Sequence, residues 1–252
     1  MFKRIFGSLI WLGSPESMKY KGIVMKANPN LHPELAERLR VVLRRGSSVL
    51  DLGAGQGAFS MRLKDSGYEV LAVDQDAANF HATGIPFVQL NFNDSASVAK
   101  FASENEGRFD AVIGMEVIEH VENPWDYVRL LKCLAKPAGL IVVTTPNVES
   151  WVSRWNYLFS GRLSHFEDED YTGSGHINPV SPWELRLIAE SLNLTNVQVF
   201  EACRLPVFWV TRNLRLMVGS FVLAPIRLLM AGRVGGDITV CIACKPTSTT
   251  IA

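Results

Sequence analysis

The sequence lacks any surplus of charge. Lysine plus arginine and aspartate plus glutamate each number 25, for a net charge of +0, so no global positive field pulls on a phosphate backbone, and nucleic acid is not the preferred partner. Cysteine is scarce: the four, at 133, 203, 241 and 244, are scattered in or beside apolar segments, which fits buried free thiols rather than a disulfide framework. Cys241 and Cys244 form a C-x-x-C, yet ITVCIACK reads as a strand, where residues three apart face opposite sides. Long apolar runs are also wanting. MFKRIFGSLIWLG at the N-terminus is shorter than a spanning helix, and SPESM beyond it offers no convincing signal-peptidase site, which argues against secretion.

What is present is an alternation of short apolar strands and helical segments. Residues 32–45 have helical periodicity, and SSVLDLGAGQG then gives a strand at Val49–Leu52 and a glycine-rich crossover into a helix from near Ala58. YEVLAVDQD is a second strand ending at Asp74, and a third lies around 86–90. Residues 95–105 are helical, FDAVIGM is a fourth strand, 124–134 a helix, and GLIVVTTPN a fifth strand stopped near Pro146. SPWELRLIAESL is a helix with Ser181 as N-cap and Glu184 three residues on, followed by a sixth strand, TNVQVFEAC. DITVCIACK is the last. Such an alternation implies right-handed crossovers and a mainly parallel sheet in one α/β domain covering 1–252, with an extension at 1–30 and an insertion at 204–236.

In DLGAGQGAF the missing side chains let backbone N–H groups approach a ligand at a helix start. Asp74 closes the second strand 19 residues beyond Gly55, about where a carboxylate meets a ribose diol. That pairing fits a nicotinamide enzyme or one that binds another adenosine cofactor.

Asp51, Gly53, Gly55 and Gly57 in DLGAGQG, with VLAVDQD, VQLNF, FDAVIGMEVIEHVENP and LAKPAGLIVVTTPN, together resemble the motifs of class I S-adenosylmethionine-dependent methyltransferases over roughly residues 30 to 200. EVIEHV and a downstream histidine make the ubiquinone-biosynthesis O-methyltransferase type the nearest in flavour. The resemblance implies a seven-stranded Rossmann-like sheet, mostly parallel, with the last strand antiparallel and inserted at the sheet edge. It implies that Gly53, Gly55 and Gly57 frame the methionine part of S-adenosylmethionine, with Asp51 under its amino group. Asp74, followed by Gln75, would bind the ribose hydroxyls, Asn91 and Phe92 would lie beside adenine, and Met115 and Glu116 would border the sulfonium. Asn91 stands where many relatives carry aspartate, which weakens the parallel at that contact.

Methyl transfer to a hydroxyl needs an acceptor held in line and a base for its proton, and histidine suits the second task. His176, in the glycine-flanked loop YTGSGHINPV, is the sharpest candidate; His165 lies in a lid-like segment before it. His81 reads as part of a solvated face, and His32, at a helix start, is open to a cofactor contact or a capping or surface role. The string EVIEH supplies Glu116, Glu119 and His120 just past the fourth strand. If 117–120 turn as a helix these side chains converge. With His176 they make a two-glutamate, two-histidine set suited to Mg²⁺, Mn²⁺ or Zn²⁺, a set that also resembles small-RNA terminal 2′-O-methyltransferases. The same residues equally read as an acid/base cluster, with Glu116, His120 and His176 catalytic, or as the polar trim of a strand end.

The stretch from 205 to 236 contains four arginines and no acidic residue. Leu214, Met217, Val218, Phe221 and Val222 recur at helical spacing, with Arg212 and Arg215 alongside and Trp209 before them, the signature of an interfacial element. Residues 1–12 share that character. Membrane-surface contact through 1–12 and 206–232, a lid over the site, and a dimer interface are the three readings of this insertion. The expectation is thus an O-methyltransferase of the cytoplasm, peripheral on the inner face of a membrane. Its acceptor would be small or lipid-linked, such as a polyprenyl quinol precursor or an isoprenoid-linked sugar. A metal-dependent 2′-O-methyltransferase of RNA ends and a non-catalytic cofactor-binding partner are the alternatives, with a Rossmann oxidoreductase behind them.

Overall fold

A computed structural model describes residues 18–247 of the chain. The membrane segment expected at 1–12 lies outside the described residues. A two-residue hairpin, β1 (Lys19–Tyr20) and β2 (Ile23–Val24), precedes α1 (Leu31–Val42). There follow β3 (Ser48–Leu52), α2 (Ala58–Asp65), β4 (Glu69–Asp74), β5 (Phe87–Gln89), α3 (Ser95–Glu104), β6 (Phe109–Met115), α4 (Pro124–Leu134) and β7 (Ala135–Pro146). The C-terminal part comprises α5 (Trp151–Ser160), α6 (Asp168–Gly173), α7 (Pro182–Ser191), β8 (Thr195–Arg204), α8 (Leu214–Leu223) and β9 (Gly236–Cys244).

Seven strands form one sheet in the order β5-β4-β3-β6-β7-β9-β8. The pairs β3·β4, β3·β6, β4·β5 and β6·β7 are parallel, and β9 runs antiparallel to both neighbours. The last strand is therefore inserted one place in from the sheet edge, and β8 is the edge strand. Strand alternation divides the core. Leu50, Leu52, Val112 and Val143 face a layer with Tyr127, Leu131, Leu185 and Ile188, while Val49, Ala111, Ile113 and Val142 face one with Leu31, Leu35, Phe59 and Leu63. Cys241 belongs to the first layer and Cys244 packs against the second, which puts the C-x-x-C pair on opposite faces. All four cysteines are free.

Helix starts follow local chemistry. Asn123 accepts from Trp125 N and Asp126 N ahead of Pro124 at the first turn of α4, and Ser181 accepts from Glu184 N ahead of Pro182 in α7. Side-chain caps of this kind fix where the chain turns back over the sheet. The insertion at 204–236 proves only partly helical. Its one α-helix, α8, is followed by a 3₁₀ turn at Arg227–Leu229 and rests on a small cluster of Trp151, Trp155, Leu205 and Leu223. Among the described residues no helix is long and apolar enough to cross a membrane.

Candidate active site

The carboxyl ends of β3, β4, β6 and β7 open onto one cleft of about 2080 Å³, several times what one drug-sized ligand needs and enough for a cofactor plus an acceptor. Every parallel crossover in this sheet delivers its loop to that edge, which is why the sequence motifs meet there.

One end of the cleft is the glycine loop. Gly53 has φ +97° and donates its N–H to Val73 O at 2.7 Å; a side chain there would run into Val117 Cγ2. Gly55, at φ +53°, has nothing within 4 Å of a would-be Cβ and lines the cleft. Its open surroundings are those of a backbone that a ligand approaches. Gly57 does not line the cleft. It starts α2 at φ +87°, and its missing side chain makes room for Phe80 and Ala82. Asp74 Oδ2 accepts from Gly55 N at 2.7 Å and Oδ1 from Asp76 N at 3.1 Å. Two backbone donors thus hold the carboxylate at the strand end and leave each oxygen a lone pair for a ligand hydroxyl. Asp51 is buried beneath the loop and accepts from Ser60 Oγ. Burial pushes its pKa up to about 6, the Ser60 bonds pull it down, and the Asp74 charge adds to the rise.

Gln75, Asn91, Phe92 and Met115 also line the cleft. Asn91 Oδ1 is engaged by Asn93 N at 3.0 Å, and Phe92 meets Tyr127 edge to face at 5.9 Å. His32 lines it too. It is buried, its Nδ1 has no partner, and burial lowers its pKa to about 3. A surface or capping role for His32 is thereby excluded. His81 is exposed, as its solvated-face reading requires.

The same cleft carries the EVIEH residues, whose Val117 packs against Gly53. Residues 118–120 form a 3₁₀ turn, and Ile177 N and Asn178 N both donate to Glu119 O, at 2.9 and 3.0 Å, while Asn178 Nδ2 bonds Val121 O. This pinning sets His176 against His120, with ring centroids 4.8 Å apart. His120 Nδ1 is 3.2 Å from Gly175 O and His176 Nδ1 is 2.6 Å from His165 O. A carbonyl oxygen only accepts, so each Nδ1 carries a proton, and in the neutral ring Nε2 is then the basic nitrogen. Burial lowers the pKa of His120, and the neighbouring His176 lowers it further.

Glu119, His120 and His176 each offer a ligand atom within 4.8 Å of the others. Glu119 is buried, and neither of its oxygens has a hydrogen-bond partner; Thr145 Oγ1 is likewise unpartnered. Burial, and then Glu116, raise the Glu119 pKa well above the carboxylate range. A hard or borderline divalent cation suits this donor set. Glu116 stands outside the group. Its backbone is left-handed at φ +53°, and Thr144 Oγ1 donates to its Oε1 at 2.7 Å, so the convergence of all four expected ligands reduces to three. Burial raises Glu116 to about 7 against the opposing effect of Thr144.

One further pair had no signal in the sequence. His165 Nε2 lies 3.3 Å from Asp237 Oδ1, and Asp237 also accepts from Asn28 Nδ2 at 2.9 Å. Burial would lower the His165 pKa, but the bond and charge of Asp237 outweigh it and the net direction is up. Asp237 goes down, burial being outweighed by His165. Both line the cleft. Their separation of 72 positions makes the pair invisible before the chain folds.

The chain is 32% identical over 105 residues to the ubiquinone biosynthesis O-methyltransferase of Caulobacter vibrioides, a match covering 40% of this chain and 42% of that protein. It is 36% identical over 107 residues to the same-named protein of Xanthomonas campestris pv. campestris, covering 40% and 44%. The chain thus spans less than half the length of these curated relatives. Among solved structures, the fold is similar to that of a SAM dependent methyltransferase from Archaeoglobus fulgidus, with a TM-score of 0.59 at 21% identity, covering 85% of this chain and 94% of that one. A family model described as a methyltransferase domain matches residues 26–199, a span that takes in the glycine loop, Asp74, the EVIEH turn and His176, and the chain belongs to that methyltransferase family.

Proposed function

We propose that this chain transfers the methyl group of S-adenosylmethionine to a hydroxyl oxygen of an apolar or lipid-linked acceptor. The observation that carries the proposal is the pair of histidines, His120 and His176, each held at Nδ1 by a backbone carbonyl, in the same cleft that Gly55 and Asp74 line. The cofactor lies along the glycine loop. Asp51 faces its ammonium, Asp74 and Gln75 its ribose, Asn91 and Phe92 its adenine, and Met115 its sulfonium. The acceptor oxygen forms its bond to the methyl carbon as the carbon–sulfur bond breaks and the electron pair passes to sulfur, leaving S-adenosylhomocysteine. The hydroxyl proton goes to a histidine Nε2, His176 first, and Glu116 borders the reacting centre. The relatives' name, O-methyltransferase, supports oxygen as the accepting atom.

The unpartnered Glu119 carboxylate favours a second reading of the same wall, in which Glu119, His120 and His176 hold Mg²⁺, Mn²⁺ or Zn²⁺. Such an ion would anchor the acceptor oxygen and lower its pKa. Transfer from methyl-labelled S-adenosylmethionine to soluble catechols and to a short prenylated phenol, with and without EDTA, tests both. Transfer that survives EDTA supports the histidine reading. Transfer lost in EDTA and restored by a divalent cation supports the second. Labelling of nitrogen or carbon, or no transfer by protein that binds the cofactor, contradicts both.

A further inference from the structure

Helix α8 turns its apolar stripe outward. Leu214, Val218, Phe221 and Val222, spaced i, i+4, i+7 and i+8 on one helical face, are all exposed, at 64%, 44%, 53% and 51%, whereas the side against the domain is Gly219, Ser220 and Leu223. The packed side is fixed by small-residue contacts. Gly219 sits on Trp155, leaving no room for a Cβ, Trp155 Nε1 donates to Arg215 O at 3.0 Å, and Trp209 N donates to Ser220 Oγ at 2.8 Å. A helix on the surface of a water-soluble domain has the opposite arrangement.

The exposed stripe is one part of a larger apolar face. Phe208 lies 5.0 Å from the Phe221 ring, and Leu228 and Leu229 just beyond the helix are 94% and 86% exposed. Tyr157, Leu158 and Phe159 extend it on α5, whose Trp155 carries the helix. Within the insertion the charge has one sign. Arg212 and Arg215 are exposed, and no acidic residue occurs between 205 and 236.

We infer that this face docks on an anionic lipid surface, with the Leu214–Phe221 stripe entering the acyl boundary and Arg212 and Arg215 meeting the head groups. Charge decides against a second copy. A two-fold contact through the same face would bring the two arginines of each protomer together without an acidic partner from the segment. The root of the face also reaches the chemistry, because Leu205, Pro206, Trp209 and Val152 line the same cleft as His120 and His176. Docking would therefore bring the cleft to the bilayer, a position from which an apolar acceptor enters without crossing water. The lipid contact itself stands apart from the methyl-transfer reading.

Co-sedimentation of the full chain with phosphatidylcholine vesicles, with and without phosphatidylglycerol, is the test, alongside S-adenosylhomocysteine binding as a check of the fold. The wild type is expected to pellet with the phosphatidylglycerol vesicles and to be released by salt. Leu214→Asp with Phe221→Asp should abolish pelleting, and Arg212→Glu with Arg215→Glu should weaken it by roughly fivefold or more per arginine, all with ligand binding intact. Three results would overturn the proposal: no pelleting of the wild type, pelleting that the stripe variant leaves unchanged, or a dimer that the stripe variant dissociates in a protein indifferent to vesicles.

Discussion

His120 and His176 stand ring to ring at 4.8 Å, each with its Nδ1 held by a backbone carbonyl, Gly175 O for the first and His165 O for the second. The two rings are thereby oriented in advance, each through its Nδ1, and His120 Nε2 lies 3.9 Å from Glu119 Oε1. Residues 55 positions apart, such as His120 and Gly175, meet because the loop after α6 is hydrogen-bonded onto the turn after β6.

His176→Asn separates orientation from chemistry. An asparagine amide can donate to His165 O in place of Nδ1 but has no basic nitrogen at the Nε2 position. The expected result is a fall in kcat of about 100-fold or more, the usual range for loss of a general base, with binding of S-adenosylhomocysteine unchanged. Steady-state rates beside calorimetric affinities make the comparison; equal losses in both would assign His176 to cofactor binding.

Asp51 gives a pH dependence with a definite sign. Burial raises its pKa from 3.8 to about 6, so in the folded chain without ligand the neutral acid persists up to about that pH. Its contribution to stability is full below the unfolded value and is lost as the pH rises through about 6, amounting to about 3 kcal/mol for a shift of roughly two units. A ligand ammonium favours the ionised form instead. Affinity for S-adenosylhomocysteine should therefore fall as the pH drops below about 6, with proton release on binding near that pH. Calorimetry in buffers of different ionisation enthalpy reads both, and Asp51→Asn should flatten the profile.

The two glycines that line the cleft separate fold from binding. Gly53→Ala drives a Cβ into Val117 at φ +97°, and a strain of about 1–3 kcal/mol corresponds to a Tm lower by roughly 3–10 °C in a chain of this size. Gly55→Ala meets no protein atom within 4 Å, so it should cost less in Tm and more in cofactor affinity. Thermal unfolding with calorimetry on both variants checks the contrast; reversal of the two effects contradicts the loop assignment.

Much of the fold was legible in the sequence for a physical reason. Interior parallel strands such as β6 and β7 are buried on both faces and read as unbroken apolar runs. The glycine loop and Asp74 were legible because both sit at strand ends, where the spacing between them follows from one helix and one strand. Capping residues such as Ser181 are local signals as well. Contacts made by folding were not legible. The Asp237 bond to His165, the Thr144 bond to Glu116, and the packing of His32 against Phe59 each join distant segments. The short helix α6 also escaped, because it is six residues long with no repeating apolar pattern, and α5 escaped although Trp151, Trp155, Leu158 and Phe159 recur at helical spacing. The outward stripe of α8 was visible as periodicity, but only the fold shows which side it faces.

Titration of S-adenosylhomocysteine into the wild type and Asp74→Ala tests the central claim most directly, since a nucleoside cofactor between the glycine loop and the Asp74 carboxylate is what every proposed step depends on. The predicted result is saturable one-to-one binding, weakened in the variant by about 2–3 kcal/mol, roughly 30- to 150-fold, for the loss of charge-assisted hydrogen bonds. Folded wild-type protein that takes up no ligand at millimolar concentration, or an affinity that Asp74→Ala leaves unchanged, would contradict it.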